Sequence, residues 1–172
     1  MGLSLKNFAI VTGIAIILAG FWTLQFVRIT LNGTASLPDN AYVMWTWPKR
    51  ITYGTIISAP TPEVFEEVFG GYYFTKKVVG LPGDEISHSE DGSVCVNNKC
   101  FKLVEQDGEP FAPAISEGVI PEGKYAAFGD SEDSLDSRYQ IVGLFAKDDI
   151  YAVGFGTNII PHWTDIKAWT ER

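Results

Sequence analysis

Lys76-Lys77-Val78-Val79 runs straight into Gly80-Leu81-Pro82-Gly83-Asp84, and Tyr72, Tyr73 and Phe74 extend the strand-like character upstream. With the two-residue period of a strand, Tyr72, Phe74, Lys76 and Val78 share one face, and Tyr73, Thr75, Lys77 and Val79 share the other. Lys76 therefore sits between aromatic and aliphatic neighbours, where an ammonium is poorly solvated. Desolvation disfavours the charged form of lysine and lowers its pKa, which is what lets an amine act as a general base near neutral pH. Read alone, a Lys-Lys pair is a strand with two surface lysines. Alternation singles out Lys76 and leaves that reading to Lys77.

A hydrolytic serine needs a base and donors for the developing oxyanion. The two histidines offer little. His88 lies in the polar run Ser87-His88-Ser89-Glu90-Asp91 beside a turn, and His162 follows Pro161; both read as exposed or packing residues. A buried lysine can do the same work without histidine. Two further stretches carry hydroxyls: Thr34-Ala35-Ser36-Leu37-Pro38, and the strand-then-loop Gly123 to Tyr139, which contains Ser134, Asp136 and Arg138. Asp136 and Arg138, two residues apart, read as an ion pair that pins the loop.

The elements that must position these groups follow from the rest of the chain. Phe8 to Val27 carries no charge and is bracketed by Lys6 and Arg28, long enough to cross a bilayer as a helix. A cleaved signal peptide is the rival reading, but the run is long for such a segment and no Ala-x-Ala site follows it. The expected organisation is a cytoplasmic N-terminus over 1–7, a transmembrane anchor over 8–27 and an extracytoplasmic domain over 28–172. Asn32 to Asn40 is rich in turn formers. Ser36 lies eight residues beyond Arg28, so even a fully extended chain keeps it within about 28 Å of the membrane edge.

Strands are expected at Tyr42–Trp47, Tyr53–Ser58, Asp84–His88, Gly123–Phe128, Tyr139–Phe145 and Asp149–Phe155. One helix is expected near 62–69, with Thr61 as N-cap, Pro62 in the first turn, Gly70 at the C-terminus and an apolar stripe of Val64, Phe65, Val68 and Phe69. The tail with His162, Trp163, Ile166 and Trp169 reads as a short helix or a packed extension. The fold class is mainly β, an antiparallel β domain with one N-terminal transmembrane helix.

Asn97-Asn98 suits a type I′ turn, so Val94–Val96 and Lys99–Phe101 form a hairpin with Cys95 opposite Cys100. Outside the cytoplasm such a pair becomes a disulfide; the alternatives are two free thiols or half a metal site, for which no second Cys or His pair supplies the remaining ligands. Thirteen Lys and Arg stand against 21 Asp and Glu, a formal net charge of −8. No basic patch is available to neutralise phosphates, which argues against a nucleic-acid role.

Together the three stretches resemble the boxes of type I signal peptidases. Tyr125-Ala126-Ala127-Phe128-Gly129-Asp130 followed by Ser134-Leu135-Asp136-Ser137-Arg138-Tyr139 is similar to the family's C-terminal box. Lys76 to Asp84 is similar to its lysine box, and Thr34 to Pro38 falls where the family keeps its nucleophile. The single anchor and the Ser36-Leu37-Pro38…Tyr42 form of the serine box look closest to TraF-type conjugative-transfer peptidases, which process pilin precursors and in some systems join the pilin ends into a ring. The resemblance implies Ser36 as nucleophile, Lys76 as general base, and the Ser36 N–H with the Thr34 hydroxyl as oxyanion hole. It also implies that Ser134 orients the lysine, that Asp136 and Arg138 form a structural pair, and that no cofactor or metal takes part. The Cys95–Cys100 hairpin resembles a disulfide found in some members.

The sequence departs from the pattern in three places. The Met-x-Pro-Thr-Leu serine box is absent, Asn40 stands where the transfer peptidases have glycine, and the aromatic-glycine pair after Arg138-Tyr139 is missing. The leading expectation is a membrane-anchored serine endopeptidase of the bacterial inner membrane, with its catalytic domain in the periplasm. Its partners would be membrane lipid, a precursor protein and pilus or secretion assembly proteins, and its work pilin maturation in conjugative transfer. A general signal peptidase is the alternative within the same class. A non-catalytic membrane-anchored β domain of a pilus or secretion assembly is the alternative outside it.

Overall fold

The computed structural model describes residues 4–34, 36–106 and 108–163. Helix α1 spans Leu5–Phe26, with Ser4 as N-cap accepting a hydrogen bond from the Asn7 N–H, and none of its residues is buried. It is long and apolar enough to cross a membrane. The chain then passes without a linker into strand β1, Val27–Leu31, which was not expected, and the turn-rich stretch 32–40 follows it as a loop. Val27, Ile29 and Leu31 alternate with Arg28 and Thr30, a period-2 signal that adjoins the apolar helix and so reads as its continuation.

Strand β2 (Ala41–Trp45) returns antiparallel to β1, closing the loop 32–40 between Leu31 and Ala41. Next come β3 (Ile56–Pro60), a short helical segment of a 3₁₀ turn Glu63–Phe65 and α2 (Glu66–Phe69), and β4 (Tyr73–Gly80). The expected helix is present with Gly70 at its C-cap, as expected, but its N-terminal cap differs. Pro62 occupies the N-cap, and the Thr61 hydroxyl instead donates to the carbonyls of Phe69 and Tyr72, closing the segment from below. The left-handed residue is Gly71, at φ 83°, rather than Gly70. Of the apolar stripe, Phe65 and Phe69 pack on Phe74, whereas Val64 and Val68 are exposed.

Strands β5 (Glu85–His88), β6 (Val94–Val96) and β7 (Lys99–Phe101) are followed by the short pair β8 (Glu105–Gln106) and β9 (Glu109–Pro110), then β10 (Gly118–Val119). The chain then runs through β11 (Lys124–Phe128), β12 (Phe145–Ala146) and β13 (Ala152–Thr157). A seven-stranded sheet runs in the order β1-β2-β13-β3-β4-β11-β12, and a four-stranded sheet in the order β10-β5-β6-β7. The architecture is mainly antiparallel β, as expected.

The β6–β7 hairpin has Asn97 and Asn98 at φ 48° and 68° and pairs Cys95 with Cys100 and Val96 with Lys99. A disulfide joins the two cysteines. Tyr139–Phe145 is not the expected strand. The Tyr139 carbonyl accepts hydrogen bonds from the Val142 and Gly143 N–H groups, and Gly143 takes φ 69°, so the chain turns there and only Phe145–Ala146 extends. Trp163 ends the described chain; Ile166 and Trp169 lie outside the described residues.

One core cluster lies under the large sheet, with Ile57, Phe74, Val78, Tyr125, Ala127 and Val153 among its members. A second, including Ile86, Val94, Val96, Ile120 and Phe128, sits between the two sheets. Strand β11 contributes to both, Ala127 to the first and Phe128 to the second, so it fixes where β4 and the loop after Phe128 must lie.

Candidate active site

Strand β4 alternates as the sequence suggests: Phe74, Lys76, Val78 and Gly80 are buried, while Thr75, Lys77 and Val79 are half-buried. Tyr72 precedes the strand and is exposed. Lys76 is only 5 % exposed. Its ammonium nitrogen lies 5.5 Å from the Phe74 ring centroid and donates to the Ser134 hydroxyl at 2.8 Å. Burial pushes its pKa down from 10.5 to about 8; Asp136 and Asp133 pull it back up, and Arg138 adds to the depression. A lysine held in this way is neutral in a useful fraction of molecules near physiological pH and can accept a proton.

Ser134 is placed by the polar loop after β11, and that loop is held by one buried ion pair. Arg138 reaches Asp136 through Nε to Oδ1 at 2.9 Å and Nη2 to Oδ2 at 2.8 Å. Asp136 and Arg138 are 0 % and 2 % exposed. The remaining Arg138 donors go to the backbone carbonyls of Lys102, Ser131, Glu132 and Ser134. The Asp136 carboxylate in turn accepts from the Gly129 and Arg138 N–H groups. A guanidinium fork is the one side chain that can satisfy so many acceptors in a fixed plane.

Ser36 sits half-buried in the loop between β1 and β2. Its carbonyl accepts from the N–H groups of Asp130 (2.7 Å) and Ser131 (3.4 Å), which ties the serine loop to the segment that carries Ser134. The two meet at Gly129. A Cβ there would overlap the Ser134 hydroxyl and lie 2.8 Å from the Ser36 carbonyl oxygen. The Ser36 N–H points at the Thr34 hydroxyl oxygen over a long 3.4 Å, so these two groups are neighbours. Asn40 shows no left-handed φ; its side-chain amide is spent on the Ile160 carbonyl and N–H.

Lys77 does more than face solvent. Its ammonium contacts Asp130 Oδ2 at 2.5 Å, and the Asp130 N–H holds the Ser36 carbonyl. The sequence left Lys77 as a surface residue and assigned Gly129 and Asp130 no role of their own within the box that contains them. A Gly-Asp pair directly after a strand and before a serine-rich loop was the signal available for them. His88 stands apart, its Nε2 bonded to the Ile115 carbonyl.

An antiparallel β scaffold thus buries a lysine against a serine hydroxyl, and the Asp130 N–H ties the loop of a second serine, Ser36, to the segment that carries the first. Residues 3–163 match the family model described as signal peptidase, peptidase S26, and the chain belongs to that family. It is 31 % identical over 88 residues to a signal peptidase I of Bacillus amyloliquefaciens, covering 45 % of this chain and 46 % of that protein. Identity is 34 % over 98 residues to signal peptidase I U of Bacillus subtilis strain 168, covering 51 % and 50 %. A probable signal peptidase I-2 of Synechocystis is 36 % identical over 69 residues, covering 38 % and 30 %. The chain thus spans half or less of the length of the curated relatives it matches.

Proposed function

We propose that this protein is a membrane-anchored serine endopeptidase that cleaves exported precursors with a Ser36–Lys76 dyad. The observation that carries this reading is Lys76: buried, its pKa lowered, and aimed by the Ser134 hydroxyl. In the reaction, neutral Lys76 takes the Ser36 hydroxyl proton as Oγ attacks the scissile carbonyl. The Ser36 N–H and the Thr34 hydroxyl turn toward the resulting oxyanion. Collapse expels the new amine, which takes the proton from the Lys76 ammonium and leaves an acyl ester on Ser36. Water, deprotonated by Lys76, then releases the acyl product; a terminal amine of the same product attacking instead would close a ring.

Helix α1 supplies the anchor in this reading, since a long apolar helix with no buried residue needs an apolar medium around it. The domain 28–172 would lie on the periplasmic side of the inner membrane, with 1–7 in the cytoplasm. The Cys95–Cys100 disulfide supports an oxidising compartment.

Two substrate classes follow from two observations. The curated relatives are named signal peptidases, which favours precursors bearing signal peptides. The Ser36-Leu37-Pro38…Tyr42 form of the serine loop favours a pilin precursor in conjugative transfer, with pilus assembly proteins as further partners. Co-expression with a pilin precursor and with several unrelated secretory precursors separates the two: a pilin enzyme leaves most of the others uncut. Ser36→Ala and Lys76→Ala should each abolish processing while the protein stays in the membrane. Unchanged processing in either variant would sink the dyad and leave a non-catalytic anchored domain.

A further inference from the structure

We propose that Asn32, at the neck of the serine loop, is a positioning residue that shapes the loop around Ser36 and Thr34. The inference rests on the Ser36–Lys76 reading and adds a residue to it. Asn32 is 8 % exposed, and each of its side-chain hydrogen-bonding groups is spent inside the loop it begins. Its Nδ2 donates to the carbonyls of Leu37 at 2.8 Å and Asp39 at 2.7 Å. Its Oδ1 accepts from the Thr34 N–H at 3.1 Å. Its own N–H donates to the Asn40 carbonyl at 3.1 Å, across the neck.

One amide therefore grips the loop on both sides of Ser36: Thr34 two residues before it, and Leu37 directly after. Gly33 and Thr34 are exposed, so without Asn32 the Thr34 end has little to hold it, whereas the far end keeps the Asp130 contact to the Ser36 carbonyl. The oxyanion donors are the Ser36 N–H and the Thr34 hydroxyl, and oxyanion stabilisation depends on donors being in place before charge develops. Asn32 acts through them and touches no reacting atom. Read from sequence, Asn32-Gly33 is only a turn signal; the two carbonyls it binds are visible only in the folded loop.

The test uses the full chain in detergent micelles with the p-nitrophenyl ester of an acetylated Ala-x-Ala tripeptide, following nitrophenolate release and the mass of the acylated protein. In wild type an acyl adduct on Ser36 is expected. Asn32→Ala should lower kcat about 10- to 100-fold, the scale of losing one oxyanion donor or less, with KM within about threefold. In a Thr34→Ala background the same change should cost much less, because both substitutions remove the same donor; coupled sites are non-additive in this way. Asn32→Asp leaves no cavity and keeps an acceptor for Thr34, but sets a carboxylate against two carbonyls. It should also be slow, and it carries the test if near-UV circular dichroism shows that the alanine variant does not fold. A folded Asn32 variant with wild-type kcat, or one whose cost is undiminished in the Thr34→Ala background, overturns the proposal while the dyad stands. Absence of any adduct on wild-type Ser36 overturns the dyad reading and the Asn32 proposal with it.

Discussion

The Lys76 ammonium and the Ser134 hydroxyl are 2.8 Å apart, although 58 residues separate them in the chain. One comes from the middle of β4 and the other from the loop beyond β11, and the pairing of those two strands brings them together. Removing the hydroxyl should leave the fold intact and the amine unaimed. Ser134→Ala should lower kcat/KM about 100-fold, the cost of a misplaced catalytic group. It should also move the inflection of the pH–rate profile to lower pH, because the lost bond favours the charged lysine. Peptide-ester hydrolysis across a pH series checks both; an unmoved profile with full activity would separate Ser134 from the lysine.

Activity should depend on pH through Lys76 itself. Burial sets its pKa at about 8, and the base is competent only when neutral. The rate should therefore rise as pH increases through about 8 and level off above it. Stability carries the same group with its own sign. Between about 8 and 10.5 the unfolded chain binds a proton there that the folded chain does not, so this group makes stability rise with pH over that window. Below about 8 the folded state bears the full penalty. Lys76→Met should stabilise the protein at neutral pH by roughly 2–3 kcal/mol, less the lost Ser134 bond, and the gain should vanish by about pH 10.5. Urea unfolding at pH 7 and at pH 10.5 measures the difference.

How much of this was readable beforehand follows from which contacts are local. The choice of Lys76 over Lys77 came from strand alternation, a property of the eight consecutive residues Tyr72 to Val79, and the β6–β7 register came from the Asn97-Asn98 turn in the same way. The partnership of Lys76 with Ser134 depends on the long-range pairing of β4 with β11 and entered only through resemblance to a family box. Asn32, Gly129 and Asp130 were passed over because their roles lie in backbone contacts to Ser36 and its neighbours, which no spacing encodes. Strand β1 was missed for a different reason: its apolar residues adjoin an apolar helix, and a change from a 3.6 to a 2.0 period is invisible when five residues are all that mark it.

Gly129 should accept no side chain. A Cβ would overlap the Ser134 hydroxyl, and lie 2.6 Å from Ser134 Cβ and 2.8 Å from the Ser36 carbonyl oxygen, so the residues on either side of the site must move apart. Gly129→Ala should cost about 1–3 kcal/mol as overpacking. It should also lower turnover about 100-fold, since both the serine loop and the lysine's partner are displaced. The thermal midpoint and ester hydrolysis, measured on the same preparation, test this. A large loss of stability with full activity would mean that the strain relaxes away from the site.

The Asp136–Arg138 pair should behave as a structural bolt whose two halves differ. Both are buried, so removing one leaves an uncompensated charge, a loss of about 3–5 kcal/mol. Asp136→Ala does this, and it also frees the Gly129 N–H that Asp136 accepts. Arg138→Lys keeps the charge but loses the fork; one ammonium cannot serve the Asp136 carboxylate and the carbonyls of Lys102, Ser131, Glu132 and Ser134 together. The loop carrying Ser134 should loosen, and Arg138→Lys should lose activity beyond its loss of stability. Asp136 also raises the Lys76 pKa, so Asp136→Asn, if folded, should shift the pH–rate inflection below about 8. Equal stability of Arg138→Lys and wild type in urea would show that charge alone, and not the guanidinium geometry, holds this loop.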